Sequence, residues 1–182
     1  MGIIRLLLAI AVVIAHTTPI FGTSLVGGKV AVQAFYIISG FYMALILNEK
    51  YIGKNGSYKL FITNRFIRLF PLYWVVLICT VAFSIAVFYL SDGKYFPTFE
   101  NYKSVATNIP TFSFLTFSNI FLFGQDIVMF LGIYPETGNL FYTSNFANTH
   151  PQLNTFLFIP QAWTLSLELT FYLFAPFLVR RK

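Results

Sequence analysis

The sequence predicts an all-α polytopic transmembrane helix bundle of four or five membrane segments. Three observations predict it: a strongly apolar composition, apolar runs of about 20 residues, and basic residues clustered beside those runs. Of 182 residues, 57% are hydrophobic and 10% are charged, where soluble domains carry roughly 25% charge. Mean hydropathy is +0.72. Aromatic residues reach 20%, with 23 Phe, a surplus that suits lipid-facing surfaces and interfacial belts better than a soluble core.

Four runs, roughly 3 to 21, 28 to 47, 70 to 91 and 155 to 179, have the length to cross a hydrocarbon core. A fifth, roughly 112 to 133, is long enough but is interrupted by Ser118, Asn119, Gln125 and Asp126. Spanning, lying in the interface and re-entering all stay open for it. The opening MGIIRLLLAIAVVIAH has the basic residue and apolar stretch of a signal peptide, but no small-x-small cleavage site with a polar start follows. It reads as a retained first span. The stretches 92 to 108 and 135 to 154 are polar and broken by Pro97, Pro135 and Pro151, and read as loops. Residues 1 to 182 show no internal repeat, low-complexity tract or soluble domain.

A net charge of +6 raises nucleic acid as a partner, yet the basic residues flank apolar runs and do not line one polar face. Membrane topology accounts for them. The densest basic stretch, 48 to 69, holds Lys50, Lys54, Lys59, Arg65 and Arg68; it is expected on the cytoplasmic side, which puts the N-terminus there too. Arg180, Arg181 and Lys182 are cytoplasmic only if the fifth run does not span. Cys79 is the single cysteine, so no intrachain disulfide or cysteine metal site exists.

Ionisable residues within membrane segments are costly and are functional candidates by default. Here they are His16, Asp126 and Glu168. Arg5 and His16, eleven positions apart, fall on one helix face about 16 Å apart along the axis. His16 then lies deep in the bilayer, as a general base on a hydroxyl or as packing glue between helices. Arg65 and Arg68, at i and i+3, share a face and can clamp a phosphate or diphosphate. The alternative is a topology anchor followed by interfacial Tyr73 and Trp74. Glu168, after Trp163 and Ser166, places a carboxylate in an apolar helix, with His16 or an arginine as its expected partner. Ser39 and Gly40 permit close approach of a helix or of a thin ligand chain, packing being the commoner use. Asp126 reads as a helix-end marker and His150 as a loop residue before proline.

Taken together, these segments resemble acyltransferase family 3, the integral membrane acyltransferases of bacterial surface-glycan modification. The resemblance rests on Arg5 and His16 with ten residues between them, FYIISGF at 35 to 41, Arg65 and Arg68 with FPLYW, and AWTLSLELTFYLFAPFL. SNIFLFGQD also looks like members that acetylate sugars. The resemblance implies an acetyl-CoA donor bound from the cytoplasm, with no tightly bound cofactor or metal, and transfer to a hydroxyl of a polysaccharide or lipid-linked sugar.

The implied roles are His16 and Glu168 as catalytic residues, Arg5, Arg65 and Arg68 on the donor, and Ser39, Gly40, Trp163 and Ser166 in support. The pantetheine arm would run from the arginine pair toward His16, and Glu168 would orient or charge-balance the imidazole. The implied location is the bacterial inner membrane. The family's membrane domain has more helices than the four or five read here, so the chain is expected to be its N-terminal half, with a complementary half or a second copy as partner. The competing class is a non-catalytic subunit or transporter fragment in which His16 and Glu168 relay protons. The arginine pair separates the two, because a transporter needs no phosphate clamp.

Overall fold

The computed structural model describes residues 2–15, 26–52, 56–92, 95 and 98–179. Six α-helices are described: α1 (Gly2–Ala15), α2 (Gly28–Glu49), α3 (Tyr58–Leu90), α4 (Thr98–Ser104), α5 (Ile109–Phe121) and α6 (Trp163–Val179). Two short strands, β1 (Leu131–Ile133) and β2 (Leu140–Tyr142), pair antiparallel, with Leu131 opposite Tyr142 and Ile133 opposite Leu140. The chain forms two compact units, residues 1–61 with 174–182, and residues 62–173.

In the first unit, α1 packs on α2, with Ala11, Ile14 and Ala31 buried between apolar faces. Gly28 opens α2 where a Cβ would come within 2.9 Å of the Ala15 Cβ, so the small residue lets the two backbones approach. The outer face of α1, with Ile3, Leu6, Leu7 and Val13, is exposed, as lipid contact requires. Tyr51 meets Phe61 edge to face at 5.2 Å between ring centroids, and Tyr58 lies 5.3 Å from Phe177.

Helices α2 and α3 and the segment Pro160–Val179 are long and apolar enough to cross a membrane. The expected run 28 to 47 corresponds to α2. The first expected span is described as helix to Ala15, and its remainder to 21 lies outside the described residues, as do Lys54, Pro97, Arg180, Arg181 and Lys182.

Helix α3 differs from expectation. It does not start near residue 70 but runs unbroken from Tyr58 through Pro71, so the basic residues Lys59, Arg65 and Arg68 belong to the spanning helix itself. Proline removes one N–H and crowds the carbonyl four residues back, a defect that membrane helices absorb through their neighbours. At 33 residues the helix is about 50 Å long, against a hydrocarbon core of about 30 Å. Its ends therefore reach well beyond the apolar layer.

The fifth run is not a helical span. Helix α5 starts at an Asn108 cap whose side chain accepts from the Thr111 N–H at 3.1 Å, and it ends after 13 residues at Leu122, with φ +67°. About 20 Å of helix falls short of the core. The chain then turns through Gly124 (φ +88°), a 3-10 turn (Ile127–Phe130) and β1. The stretches read as loops also carry structure: α4, β2, a 3-10 turn at Phe146–Asn148 and the start of another at Leu153–Phe156. The α6 helix itself starts at Trp163, later than the expected 155. An apolar cluster binds these pieces, with Val105, Leu115, Val128, Ile133, Leu153, Phe156 and Leu157 buried.

Asn119 is the polar hub of the second unit. Its two amide N–H groups are shared among the Tyr102 hydroxyl (2.9 Å), the Leu115 carbonyl (3.0 Å) and the Phe156 carbonyl (3.1 Å). Its side-chain oxygen accepts from the Phe158 N–H at 2.9 Å. Tyr73 donates to the Asn119 backbone carbonyl, and the Trp74 indole N–H donates to the Ile120 carbonyl at 2.8 Å. Tyr73 is thus buried against its own chain.

Burial pushes the Tyr102 phenol up to about 12, against the weaker opposing effect of its hydrogen bonds with Asn119 and Thr116. Because folding raises this pKa, the contribution to stability is complete below pH 10 and lost as pH climbs from 10 through about 12. Ultraviolet difference titration of wild type against Tyr102→Phe should show the missing phenolate transition in that window. A missing transition at the ordinary tyrosine position would refute the burial effect.

Candidate functional site

In the first unit Arg5 is held by three residues of α2, two from the FYIISGF segment and the Tyr42 that follows it. Its Nη2 donates to Ser39 Oγ at 3.3 Å, and its guanidinium carbon lies 5.8 Å from the Phe35 ring centroid and 6.0 Å from that of Tyr42. The hydroxyl and the two ring faces satisfy an arginine among apolar helices, where an isolated charge is costly. Ser39 therefore supports Arg5. A Cβ at Gly40 would meet nothing within 4 Å, so the expected close helix packing is found at Gly28 and not at Gly40. His16 lies outside the described residues, and so does any pairing of it with Glu168.

The second unit gathers side chains from three separated stretches. Arg65, on α3, sits with its guanidinium carbon 5.6 Å from the Tyr172 ring centroid. Tyr172 donates its hydroxyl to Glu168 Oε1 one turn earlier on α6. Glu168 and Tyr172 stand at i and i+4, the spacing at which helical side chains meet. Ser166, fully buried, donates to Asp126 Oδ1 at 2.7 Å. A hydrogen bond onto a charged acceptor contributes about 1.5–3 kcal/mol, and here it ties the first turn of α6 to the connection after α5. Phe66 lies 6.1 Å from Phe123, packing the same connection onto α3.

Asp126 does not cap a helix through its side chain; its carboxylate is the partner of Ser166. Arg68 is exposed one turn beyond Arg65, Trp163 begins α6 half-buried, and His150 is an exposed residue before Pro151. Tyr172 is the member of this cluster that sequence reasoning missed. Tyr172 stands within the same AWTLSLELTFYLFAPFL stretch, four residues after Glu168, and that spacing was the available signal. Asp126 is expected as an intramembrane carboxylate and helix-end marker, but its pairing with Ser166, 40 positions away, carries no local signal. Among the described residues, no group of three His, Cys, Asp or Glu side chains is placed to hold a metal ion.

Long apolar helices, one of them carrying a carboxylate tied by a buried tyrosine to an arginine, define a multi-pass membrane protein with ionisable groups set into its spanning segments. Residues 1–181 match the family model of the acyltransferase domain known as acyltransferase 3, and the chain belongs to that family. None of the curated proteins or solved structures compared matches it significantly.

Proposed function

We propose that the protein transfers an acyl group, acetyl in the first instance, from a coenzyme A thioester to a hydroxyl of a cell-surface or lipid-linked carbohydrate. The observation that carries this reading is the acyltransferase-domain match over residues 1–181. The second unit supports it with an arginine and a carboxylate brought together by Tyr172. The acceptor oxygen attacks the thioester carbonyl, the carbon–sulfur bond breaks, and coenzyme A leaves as the thiol. His16 takes the proton from the acceptor hydroxyl and returns it to the leaving thiolate. Glu168 supplies a carboxylate held in place by the Tyr172 hydroxyl. Arg65 and Arg68, one turn apart, hold the donor's phosphate oxygens through forked hydrogen bonds, and Arg5 provides a further cation for the donor. The location is the bacterial inner membrane with a cytoplasmic N-terminus, where the basic residues of α3 meet cytoplasmic donor.

The Arg65→Ala, Arg68→Ala double variant tests this reading. Two charge-assisted contacts to phosphate are lost, about 3 kcal/mol, so equilibrium binding of radiolabelled acetyl-CoA to the purified protein should weaken about a hundredfold. Unchanged binding overturns the donor assignment and favours a proton-relay or packing role for the intramembrane charges.

A further inference from the structure

We infer that Tyr172 is a positioning residue for acyl transfer, holding the Glu168 carboxylate and the Arg65 guanidinium in one arrangement; this rests on the acyl-transfer reading above. Tyr172 is only 5% exposed, so it is not a lipid-facing aromatic. Its two chemical features are used on two different charges. The ring face takes the Arg65 guanidinium, and the hydroxyl is given to Glu168.

Packing alone does not require this residue, since phenylalanine fills nearly the same volume. What phenylalanine lacks is the donor to the carboxylate. What leucine lacks is also the ring face under the arginine. The helix that carries Tyr172 is itself fixed in rotation: Leu169 and Ala175 are fully buried, and Ser166 is tied to Asp126. Tyr172 therefore reads out a rigid backbone, and its ring and hydroxyl set where the arginine and the carboxylate stand. Rigid placement of reacting and binding groups is worth up to a hundredfold in rate for an ångström of displacement.

The test compares Tyr172→Phe and Tyr172→Leu in the full chain, following label transfer from radiolabelled acetyl-CoA to membrane glycan, per molecule of folded, inserted protein. Tyr172→Phe should lower kcat about tenfold while the donor KM stays within about twofold. Tyr172→Leu should lower kcat as far and raise the donor KM about fivefold, because a desolvated cation–π contact is lost. A purely structural tyrosine would lower the folded yield and leave the specific rate of both variants unchanged. Wild-type kcat in Tyr172→Phe, or a wild-type donor KM in Tyr172→Leu, overturns the inference. Absence of transfer by the wild-type chain overturns the acyl-transfer reading itself, and the inference falls with it.

Discussion

Changing His16 to alanine is expected to reduce transfer of label from acetyl-CoA to membrane glycan by about 10²–10⁴-fold, the range that a positioned general base contributes. A sugar hydroxyl is a poor nucleophile at neutral pH and must lose its proton as the carbon–oxygen bond forms. Imidazole is the side chain whose ordinary pKa suits that task, and His150, the other histidine of the chain, is an exposed residue before proline. The donor KM should stay within about twofold, because the lost interaction is made in the transition state and not with the phosphates. His16→Gln, which keeps a hydrogen-bonding group but no base, should fall as far. A packing role predicts instead that glutamine restores the rate and that alanine lowers the amount of inserted protein without changing its rate per molecule. A loss smaller than about threefold in His16→Ala would remove His16 from the chemistry.

The largest expected loss of stability is at Asn119. Its side chain is nearly fully buried and makes hydrogen bonds to Tyr102, Leu115, Phe156 and Phe158. Alanine deletes these bonds together and leaves several buried donors and acceptors without that partner, each costing about 1–3 kcal/mol. We expect Asn119→Ala to destabilise the second unit by about 3–5 kcal/mol. In detergent this should appear as a thermal midpoint lower by roughly 10 °C. Asn101→Ala is the comparison: it removes one half-buried bond to Thr155 Oγ1 and should cost about 1 kcal/mol. Equal midpoints for the two variants would show that the Asn119 hydrogen bonds add nothing beyond a single peripheral contact. The consequence for function is indirect. Asn119 joins α5 to Phe156 and Phe158 in the stretch that leads into α6, so loosening it frees the helix that carries Glu168.

The membrane class of this protein is legible in its composition, because the apolar length needed to cross a bilayer is a local property of consecutive residues. The span expected at 28 to 47 therefore lies within two residues of α2 (Gly28–Glu49). The Arg5, Ser39, Arg65, Ser166 and Glu168 motifs are also visible without any structure, and the family match bears out the resemblance they carry. Helix limits were less legible. The third apolar run reads as beginning near residue 70, yet the residues before it continue the α3 helix through Pro71. The apolar run from 112 to 133 reads locally as long enough to span, yet it breaks at Leu122 and Gly124, where φ is positive.

Tertiary structure alone decided which polar residues are partners. Gln125 reaches Tyr73 from 52 positions away, Phe158 reaches Asn119 from 39, and Ser166 reaches Asp126 from 40. Nothing in hydropathy or helical period encodes such pairings. A buried polar group must find a partner, but which one it finds depends on how the chain returns to it. By itself the sequence determined that these helices lie in lipid and which charges they carry there. The fold determined that Arg65 and Glu168 share one tyrosine, and that Asp126, which the sequence offers only as a helix-end marker, is tied to the helix that carries Glu168 and Tyr172.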